Sequence, residues 1–440
     1  MKKLVTVALS AVLAASTVVG LSSCGEGGGT GDAELLPLPA YENIEEPDYS
    51  DVTIPEDFKF GLICLHDEAS TYDKNFIDAA RKAAREMGLS DSQLVMKTNI
   101  PELAECREAA LDLVDQGCDV IFADSFGHEQ WMLEAAKAEG SENVEFCHAT
   151  GTTAHTANQD NFHNAFASIY EGRYLAGIAA GMELNQMIED GEITASEAKM
   201  GYVGAYTYAE VISGYTSFYL GAKSVCPTVT MEVQFTGSWY DVTAERTAAE
   251  SLISRGCKLI SQHADSMGAP TACEEAGVPN VSYNGSTIEA CPETFIVSSR
   301  IDWTPYFKYI IAQTIRGEEI ADDWTGTIAT GSVVLTDLNS NTATQETVDA
   351  IVAARTQLAN GTLNVFDTSK FTVTKTDTLN TRATVDENGR LTAYMAQVDG
   401  MDAAGDTQVV ENGVFEESTF RSAPYFDVQI DGITLLNSAF

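Results

Sequence analysis

Positively charged residues are scarce in this sequence. Its 440 residues include 25 lysines and arginines against 65 aspartates and glutamates, which gives a formal net charge of −40 at pH 7. A surface this acidic repels phosphate backbones and anionic lipid headgroups. We therefore expect no nucleic-acid partner, although the acidity also serves the simpler purpose of keeping a protein soluble.

Catalytic and metal-binding motifs are also missing. The sequence has no HExxH and no GxSxG pattern at a strand-to-helix turn, and none of its six histidines forms a convincing pair at the helical spacing of metal ligands. The cysteines after Cys24 show no CxxC spacing, and several lie in apolar runs, which favours buried free thiols over disulfides. We therefore expect a protein that is not an enzyme and that holds no metal and no cofactor.

The apolar run near the N terminus, residues 4–21, is shorter than the roughly 20 residues that a membrane span requires. It follows a lysine pair and ends at Leu21-Ser-Ser-Cys24, which resembles the lipobox of bacterial lipoproteins. We expect a signal peptide at 1–23, a lipid anchor on Cys24 and a glycine-rich flexible tether at 24–57. The protein would then lie on the extracellular face of the cell membrane. An ordinary signal peptide with an incidental cysteine is the alternative.

Beyond residue 57, short apolar runs alternate with amphipathic helical patterns. Residues 58–65 have the pattern of a strand and 75–87 that of a helix, and a second series begins near residue 171. Such alternation is typical of the α/β class, in which parallel sheets are covered by helices on both faces. Two such units side by side form a deep cleft at the carboxyl ends of their strands. After about residue 330 the pattern changes, and we expect a β-rich C-terminal extension at 371–440.

Six short segments occur in an order and spacing that together resemble one known family. The longest is Ile169-Tyr-Glu-Gly-Arg-Tyr-Leu-Ala-Gly-Ile-Ala-Ala-Gly181. The others are Phe122-Ala-Asp-Ser-Phe-Gly127, His148-Ala-Thr-Gly151, Gly237-Ser-Trp-Tyr-Asp241, Gln262-His-Ala-Asp-Ser266 and Tyr283-Asn-Gly285. Across residues 58–323 the chain resembles the basic membrane protein (BMP) family of substrate-binding lipoproteins of ABC importers, which includes purine-binding proteins and purine nucleoside receptors.

The resemblance implies a type I periplasmic-binding-protein fold. Two doubly wound parallel-sheet lobes would be joined by a three-segment hinge and would close around the ligand. Lobe 1 would comprise 58–169 plus 285–318, and lobe 2 would comprise 172–282 plus 319–370. The three crossovers would lie near 168–171, 282–284 and 317–324.

The resemblance also implies a function. The protein would capture a purine base or nucleoside in the interlobe cleft, as a monomer, and deliver it to the permease subunits of an ABC importer. Nucleoside-binding members carry a lysine that grips the ribose, whereas the corresponding stretch here reads Ser298-Ser-Arg-Ile-Asp-Trp303. The missing lysine favours a free base or a nucleoside whose ribose is bound differently. A sugar or other small polar ligand, or a role as a ligand sensor for a membrane receptor, is the alternative.

Candidate ligand-binding residues lie in the loops at the strand carboxyl ends. Tyr72 or Phe126 from lobe 1 and Trp239 from lobe 2 would hold a flat heterocycle between them, with ordinary lobe packing as the alternative for each ring. Hydrogen bonds to the ring edge would come from Asn75, Asp265 and Asn284. The remaining candidates are Ser125, Gly127, Asp241, His263 and Trp303.

Overall fold

The structure is a computed structural model that describes residues 34–44, 46–373, 380–399 and 404–439. The predicted signal peptide and the predicted lipidation site, Cys24, lie outside these residues. Within them, no helix combines the length and apolar character that crossing a bilayer demands.

The N-terminal segment packs on the folded body from residue 34 onward. Strand β1 (Leu35–Leu36) pairs antiparallel with residues 338–339, and Tyr49 lies under the guanidinium of Arg316. Leucine and tyrosine side chains give this segment apolar surface to bury, and several of them contact the core. The flexible tether predicted up to residue 57 is therefore wrong in its described part.

The first lobe begins with a series of parallel strands and helices. Its elements are β2 (Phe60–Ile63), α1 (Thr71–Met87), β3 (Leu94–Lys97), α2 (Ala104–Asp115), β4 (Val120–Ala123), α3 (Glu129–Ala136), β5 (Glu145–Ala149), α4 (Ala154–Ala157) and β6 (Phe162–Ala167). Strands β2 and β4 are buried at every position, because helices cover both faces of the sheet. Helix α1 starts where the Ser70 side chain accepts the amide hydrogen of Asp73 and ends at Gly88, whose φ of 86° suits glycine.

The second lobe repeats this alternation. Its elements are α5 (Ile169–Glu189), β7 (Lys199–Gly204), α6 (Ala209–Val225), β8 (Thr230–Phe235), α7 (Val242–Ser254), β9 (Leu259–His263), α8 (Gly268–Ala276), β10 (Asn280–Tyr283) and β11 (Phe295–Ile301). Helices α5 and α6 cross at unusually close range. A methyl group on Gly177 would overlap the carbonyl oxygen of Phe218, and one on Gly221 would overlap that of Tyr174. The glycines of the 169–181 segment thus serve helix packing.

The chain then returns to each lobe once more. The elements are α9 (Thr304–Arg316), β12 (Asp323–Gly326), β13 (Val333–Leu335), β14 (Leu338–Asn339) and α10 (Gln345–Ala359). The first sheet has the order β12-β6-β5-β4-β2-β3, and the second has the order β13-β11-β10-β9-β7-β8 before a last edge strand. The chain therefore crosses between lobes after β6, between β11 and α9, and between β12 and β13.

Two of these crossovers differ from the predicted ones. Strand β11, predicted in lobe 1, pairs in parallel with β10 of the second sheet, and β12, predicted in lobe 2, pairs with β6 of the first. Parallel neighbours in a sheet are usually joined by a helix. The connection between β10 and β11 contains none, so the sequence of this connection does not indicate that β11 stays in the same sheet as β10. The short polar strand β12 has no apolar alternation that would reveal it.

The C-terminal extension consists of short strands and irregular segments. Its strands are β15 (Ala383–Val385), β16 (Leu391–Ala396), β17 (Thr407–Gln408), β18 (Val410–Glu411), β19 (Val414–Phe415) and β20 (Ile433–Leu435). Strands β15, β16 and β17 form a small antiparallel sheet, whereas β20 joins the second lobe as the parallel neighbour of β8. The predicted extension is thus not wholly separate, because its last strand completes the lobe 2 sheet.

Eight cysteines within the described part of the chain are buried and free. They are Cys64, Cys106, Cys118, Cys147, Cys226, Cys257, Cys273 and Cys291. They behave as small apolar side chains, which agrees with the preference for free thiols that their positions in apolar runs indicate.

Candidate functional site

The two lobes contact each other directly at the carboxyl ends of their strands. The backbone amide and the hydroxyl of Thr71 in lobe 1 donate to the carbonyl oxygen of Asp265 in lobe 2, at 3.1 and 3.2 Å. The rings of Phe126 and Tyr208, one from each lobe, have centroids 5.8 Å apart. The structure therefore shows a closed cleft.

An inner pocket lies between the lobes and is lined by aromatic rings from both. Tyr72 comes from the first turn of α1 and Phe126 from the loop after β4. Trp239 follows β8 and Tyr283 ends β10. The pocket holds about 20 Å³ of free space in this closed arrangement, room for one or two waters. A flat ring therefore enters only when the lobes part.

The aromatic rings of the inner pocket are held in place from behind. The Tyr72 hydroxyl donates to the backbone carbonyl of Asp124 at 2.7 Å, and its ring meets the edge of Phe76 at 4.9 Å. The Trp239 indole and the Tyr206 ring form a T-shaped contact, with centroids 5.3 Å apart. Rings fixed in this way are pre-organised for stacking, which lowers the entropy lost on binding.

Asp265 is the most strongly perturbed acid in the pocket lining. Its pKa is raised well above the usual range, mainly by burial and further by the neighbouring carboxylates of Asp73, Glu245 and Glu210. A carboxyl in this environment keeps its proton at neutral pH. It therefore presents one hydrogen-bond donor and one acceptor side by side.

His263 and Glu210 occupy the lobe 2 side of the pocket. The His263 Nε2 lies 3.4 Å from a Glu210 carboxylate oxygen, and its Nδ1 lies 3.4 Å from the Tyr202 hydroxyl. Burial lowers the pKa of His263, so the imidazole is neutral at pH 7. Glu210 lies in the first turn of α6 and lines the pocket directly.

A buried acid pair supports the loop that carries Tyr72. Asp73 accepts the backbone amide of His66 at 2.7 Å and the Ser70 hydroxyl at 2.6 Å. Burial alone would raise the pKa of Asp73, but these hydrogen bonds hold it below its usual value. Burial and the charge of Asp73 together raise the pKa of Asp124 well above normal. The pair thus carries one negative charge.

Cys64 joins this acid pair, and the three residues place one donor atom each within 4.8 Å of one another. Metal binding would require thiolate and carboxylate ligands. Burial raises the pKa of the Cys64 thiol, and that of the Asp124 carboxyl, well above normal. A metal would therefore have to displace the protons of both groups in order to bind here.

A buried arginine of the 169–181 segment lies behind the pocket wall. One nitrogen of Arg173 donates to the Tyr202 hydroxyl at 2.8 Å and to the Ser261 hydroxyl at 3.0 Å. Its guanidinium lies 5.0 Å from the centre of the Tyr283 ring, close enough for a cation–π contact. Arg173 therefore holds the Tyr283 ring, which forms part of the lobe 2 wall of the pocket.

Five of the predicted site residues line the inner pocket. These are Tyr72, Phe126, Trp239, His263 and Asp265. The others follow strand ends as well, but they do not line this pocket. The structure places them outside the lining: Asn75, Ser125, Gly127, Asp241, Asn284 and Trp303.

Asn75 and Asp241 satisfy backbone groups instead of a ligand. The Asn75 amide donates to the carbonyl of Ile301 at 2.5 Å, which ties α1 to the end of β11. Asp241 is the N-cap of α7, where its carboxylate accepts the amides of Thr243 and Ala244 at 3.0 and 2.9 Å. In the closed cleft, both side chains are thus engaged by the backbone, and neither lines the inner pocket.

Ser125 and Gly127 both donate to Glu102, from the serine hydroxyl at 2.6 Å and from the glycine amide at 2.7 Å. Trp303, only 1% exposed, stacks on Phe76 at 4.5 Å within the lobe 1 core. It therefore anchors the lobe and does not cap the cleft.

Asn284 adopts a left-handed backbone conformation, with φ 66°. Its backbone amide donates to the carbonyl of Ser299 at 2.9 Å, which fixes the turn after β10. Its side-chain nitrogen is buried without a hydrogen-bond partner among the described residues. The residue thus shapes the turn beside Tyr283 without lining the pocket.

Some lining residues were missing from the predicted set, notably Glu210, Tyr283 and His66. Tyr283 and Glu210 follow the same rule as the predicted residues, since each lies at or just after the carboxyl end of a parallel strand. Examining the residues at and after the carboxyl ends of β7 and β10 would therefore have identified Glu210 and Tyr283 from the sequence.

Comparison with known proteins decides the family. Residues 61–368 match the model of the Bmp family, described as PnrA-like ABC transporter substrate-binding proteins. The chain belongs to this family. The predicted family is thus confirmed, and it is a family of binding proteins and not of enzymes.

Two curated relatives of this Bmp-family chain show where the similarity lies. A Haloferax volcanii protein named as an ABC transporter glucose-binding protein is 34% identical over 253 residues, 58% of this chain and 60% of that protein. A purine-binding protein of Brucella abortus is 31% identical over 247 residues, 55% of this chain and 66% of that protein. The match thus spans less than two thirds of either relative's own length.

Solved structures support the predicted type I fold. An ABC transporter solute-binding protein from Conexibacter woesei superposes with a TM-score of 0.56 at 19% identity, covering 70% of this chain and 98% of that one. At this identity the likeness concerns the fold alone. Together with the parallel sheets of both lobes, it confirms the predicted α/β architecture.

Proposed function

We propose that this chain captures a purine base or nucleoside between its lobes and delivers it to the permease subunits of an ABC importer. One observation carries the proposal: aromatic rings from both lobes line one inner pocket, with Tyr72 and Phe126 on one side and Trp239 on the other. Stacking on such rings contributes ~1–3 kcal/mol per base.

The buried acid in the pocket lining supports a purine in particular. A protonated Asp265 offers a donor beside an acceptor. The edge of adenine presents a ring nitrogen acceptor beside an amino donor, and that of hypoxanthine presents a carbonyl acceptor beside a ring N–H. Either edge pairs with the acid through two hydrogen bonds, whereas a ligand lacking this pattern leaves a buried group unpaired at a cost of ~1–3 kcal/mol.

A sugar is the second candidate ligand. Pyranoses also stack on aromatic rings, and the Haloferax volcanii relative is named for glucose binding. Acidic side chains such as Glu210, which lines the pocket, accept hydrogen bonds from sugar hydroxyls. A role as a ligand sensor for a membrane receptor would use the same closing cleft.

Titration calorimetry separates these ligands. The panel contains adenine, hypoxanthine, guanine, their nucleosides and glucose, each titrated into the purified chain. We expect saturable binding of at least one purine at micromolar or tighter affinity and no heat from glucose. Flat heats across all purines would overturn the proposal, and a saturable glucose isotherm would replace it with the sugar candidate.

We also propose that Cys24 carries a lipid that anchors the chain to the outer face of the cell membrane. The apolar run at 4–21, which is too short for a comfortable membrane span, and the Leu21-Ser-Ser-Cys24 sequence support this. In cells, the wild-type chain should partition into the detergent phase, and a Cys24→Ser variant should leave it. An unchanged partition of the variant would contradict lipidation at this residue.

A further inference from the structure

A second, larger cavity lies next to the inner pocket. It has a volume of about 570 Å³, and it shares Phe126, Thr150, Glu210 and Trp239 with the inner pocket. A ligand whose flat ring lies in the inner pocket when the lobes close around it would therefore border this outer chamber. The chamber lies within the ~300–1,000 Å³ range typical of small-molecule sites.

The C-terminal extension supplies one wall of the outer chamber. Five residues of the extension line the chamber, together with residues of the two lobes. They are Thr381, Tyr394, Gln397, Tyr425 and Gln429. All of them lie beyond residue 368, where the match to the family ends. This wall of the chamber therefore lies outside the part of the chain that matches the family model.

The extension is fastened to both lobes, which fixes the wall in the closed state. Towards lobe 2, the Ser213 hydroxyl donates to Glu417 at 2.6 Å and the Tyr215 hydroxyl donates to Gln429 at 2.8 Å. Towards lobe 1, the backbone amide of Ser422 donates to the Asp323 carboxylate at 3.2 Å.

Positive charge in the chamber is already engaged by the protein. Arg421 donates to four backbone carbonyls, those of Gln397, Val398, Ala423 and Pro424. Arg382 forms an ion pair with Asp427, and Glu210 adds a carboxylate. A phosphate group would therefore meet no uncommitted cation among these chamber residues and would be repelled by the acid.

The remaining chamber surface is suited to a neutral polyhydroxy group. Tyr394 and Tyr425 offer ring faces, and the Gln397 amide, with the Thr152 and Thr207 hydroxyls, offers donors and acceptors. Amides and hydroxyls beside aromatic rings match the alternating polar and apolar faces of a furanose or pyranose.

We propose that the C-terminal extension forms the third wall of the ligand site and that the outer chamber holds the glycosyl group of a purine nucleoside whose base fills the inner pocket. This inference rests on the proposed function. It names the intact, unphosphorylated nucleoside, rather than the free base or the nucleotide, as the preferred ligand class.

The test compares a base, its nucleoside and its 5′-monophosphate by calorimetry, with adenine and hypoxanthine series run in parallel. We expect the nucleoside to bind at least about tenfold more tightly than the base, because chamber hydrogen bonds would otherwise be lost. The monophosphate should give no measurable heat.

Two extension variants report on the chamber. Thr381 is exposed at the chamber wall, so Thr381→Trp should fill the chamber at little cost to folding. This variant should lose the nucleoside preference and retain base binding, and Gln397→Ala should reduce the preference by a smaller factor. Thr392→Trp, at an exposed position of β16 outside the chamber lining, is the matched control and should behave as wild type.

The outcomes separate this inference from the proposed function. Purines that give no heat with any variant would overturn both. Equal affinity for base and nucleoside in the wild type, or a nucleoside preference that survives both Thr381→Trp and Gln397→Ala, would overturn the inference and leave the proposed function standing. Tight binding of the monophosphate would also contradict the inference.

Discussion

Trp239 is the residue on which ligand affinity should depend most. Its indole lines the inner pocket and makes a T-shaped contact with Tyr206, so it is positioned to contact a ligand. Trp239→Ala should weaken purine binding about tenfold or more, since losing such a contact costs over ~1 kcal/mol. The dissociation constant from calorimetry is the measurement.

A matched variant distinguishes stacking from folding. Trp239→Phe keeps an aromatic face and should retain most of the affinity that Trp239→Ala loses, and both should unfold at similar temperatures because the residue is only partly buried. Unchanged affinity in Trp239→Ala would show that the indole serves packing of the protein and not ligand binding.

Asp265 should make binding depend on pH. Its raised pKa means that the carboxyl is protonated at neutral pH and ionises as the pH rises, which removes the donor and leaves a buried charge. Wild-type affinity for a purine that stays uncharged should therefore fall as the pH is raised far enough to ionise this carboxyl.

Asp265→Asn, which keeps one donor and one acceptor, should bind with little pH dependence, and Asp265→Ala should bind weakly throughout. Calorimetry of all three proteins over an ascending pH series is the measurement. Identical pH profiles for the wild type and the Asn variant would contradict the assignment.

Sequence alone can predict some residues of the pocket because the loops after parallel strands converge at one edge of each sheet. The rule places Trp239 and Asp241 in one such loop, yet only Trp239 lines the pocket, because the Asp241 carboxylate caps α7. Such competition between ligand and backbone is decided by side-chain direction. For two side chains that are only two positions apart on one loop, the sequence does not show which one points into the pocket.

At the scale of elements, the crossing of α5 and α6 should be the least tolerant contact in lobe 2. Gly177 lies against the carbonyl of Phe218, with no room for a methyl group. Gly177→Ala should lower the free energy of unfolding by ~1–3 kcal/mol, the usual cost of overpacking. Urea denaturation measures this.

Gly285 provides the control for that substitution. A methyl group there meets only ordinary contacts with Thr71, so Gly285→Ala should be close to neutral in the same denaturation experiment. Equal stability of the two variants would show that the helices separate without cost.

The extension should be held by a pH-sensitive contact. Burial raises the pKa of Glu417 to about 7, and its carboxyl accepts a hydrogen bond from Ser213. A carboxyl with a raised folded-state pKa stabilises the fold fully below its unfolded pKa of ~4.5, and that stabilisation is lost as the pH rises through 7. Glu417→Gln keeps a neutral side chain at all pH values.

We therefore expect the melting temperature of Glu417→Gln to rise relative to that of the wild type as the pH increases from about 5 to about 8. Glu171, Glu183 and Glu245 also have pKa values raised to about 7 by burial, so both proteins lose stability over this range. A constant difference would contradict the account of Glu417.

Helices and strands can be predicted where periodicity is strong, as in the alternation of β2, α1 and β3. The sheet that each strand joins is harder to predict. Strand β11 pairs with β10 although no helix connects them. Strand β12 is short and polar, and it joins the first sheet by pairing with β6. Long-range pairing of this kind leaves no local signature.

At the scale of the whole molecule, the lobes must open and close for a ligand to enter. The closed cleft leaves about 20 Å³ free in the inner pocket, and Thr71 bridges the lobes through hydrogen bonds to Asp265. A ligand held by both lobes favours the closed state. The free chain must also populate an open state for a ligand to enter, so the radius of gyration from small-angle scattering should decrease when a purine nucleoside is added. An unchanged radius at saturating ligand would contradict closure.

The crystal structure of the chain grown with a purine nucleoside tests the central claim most directly. The account predicts a flat base between Trp239 and the ring of Tyr72 or Phe126, its edge on Asp265, and its sugar against the C-terminal extension. A base bound outside these rings, or an interlobe pocket filled by protein while the nucleoside sits elsewhere, would contradict it.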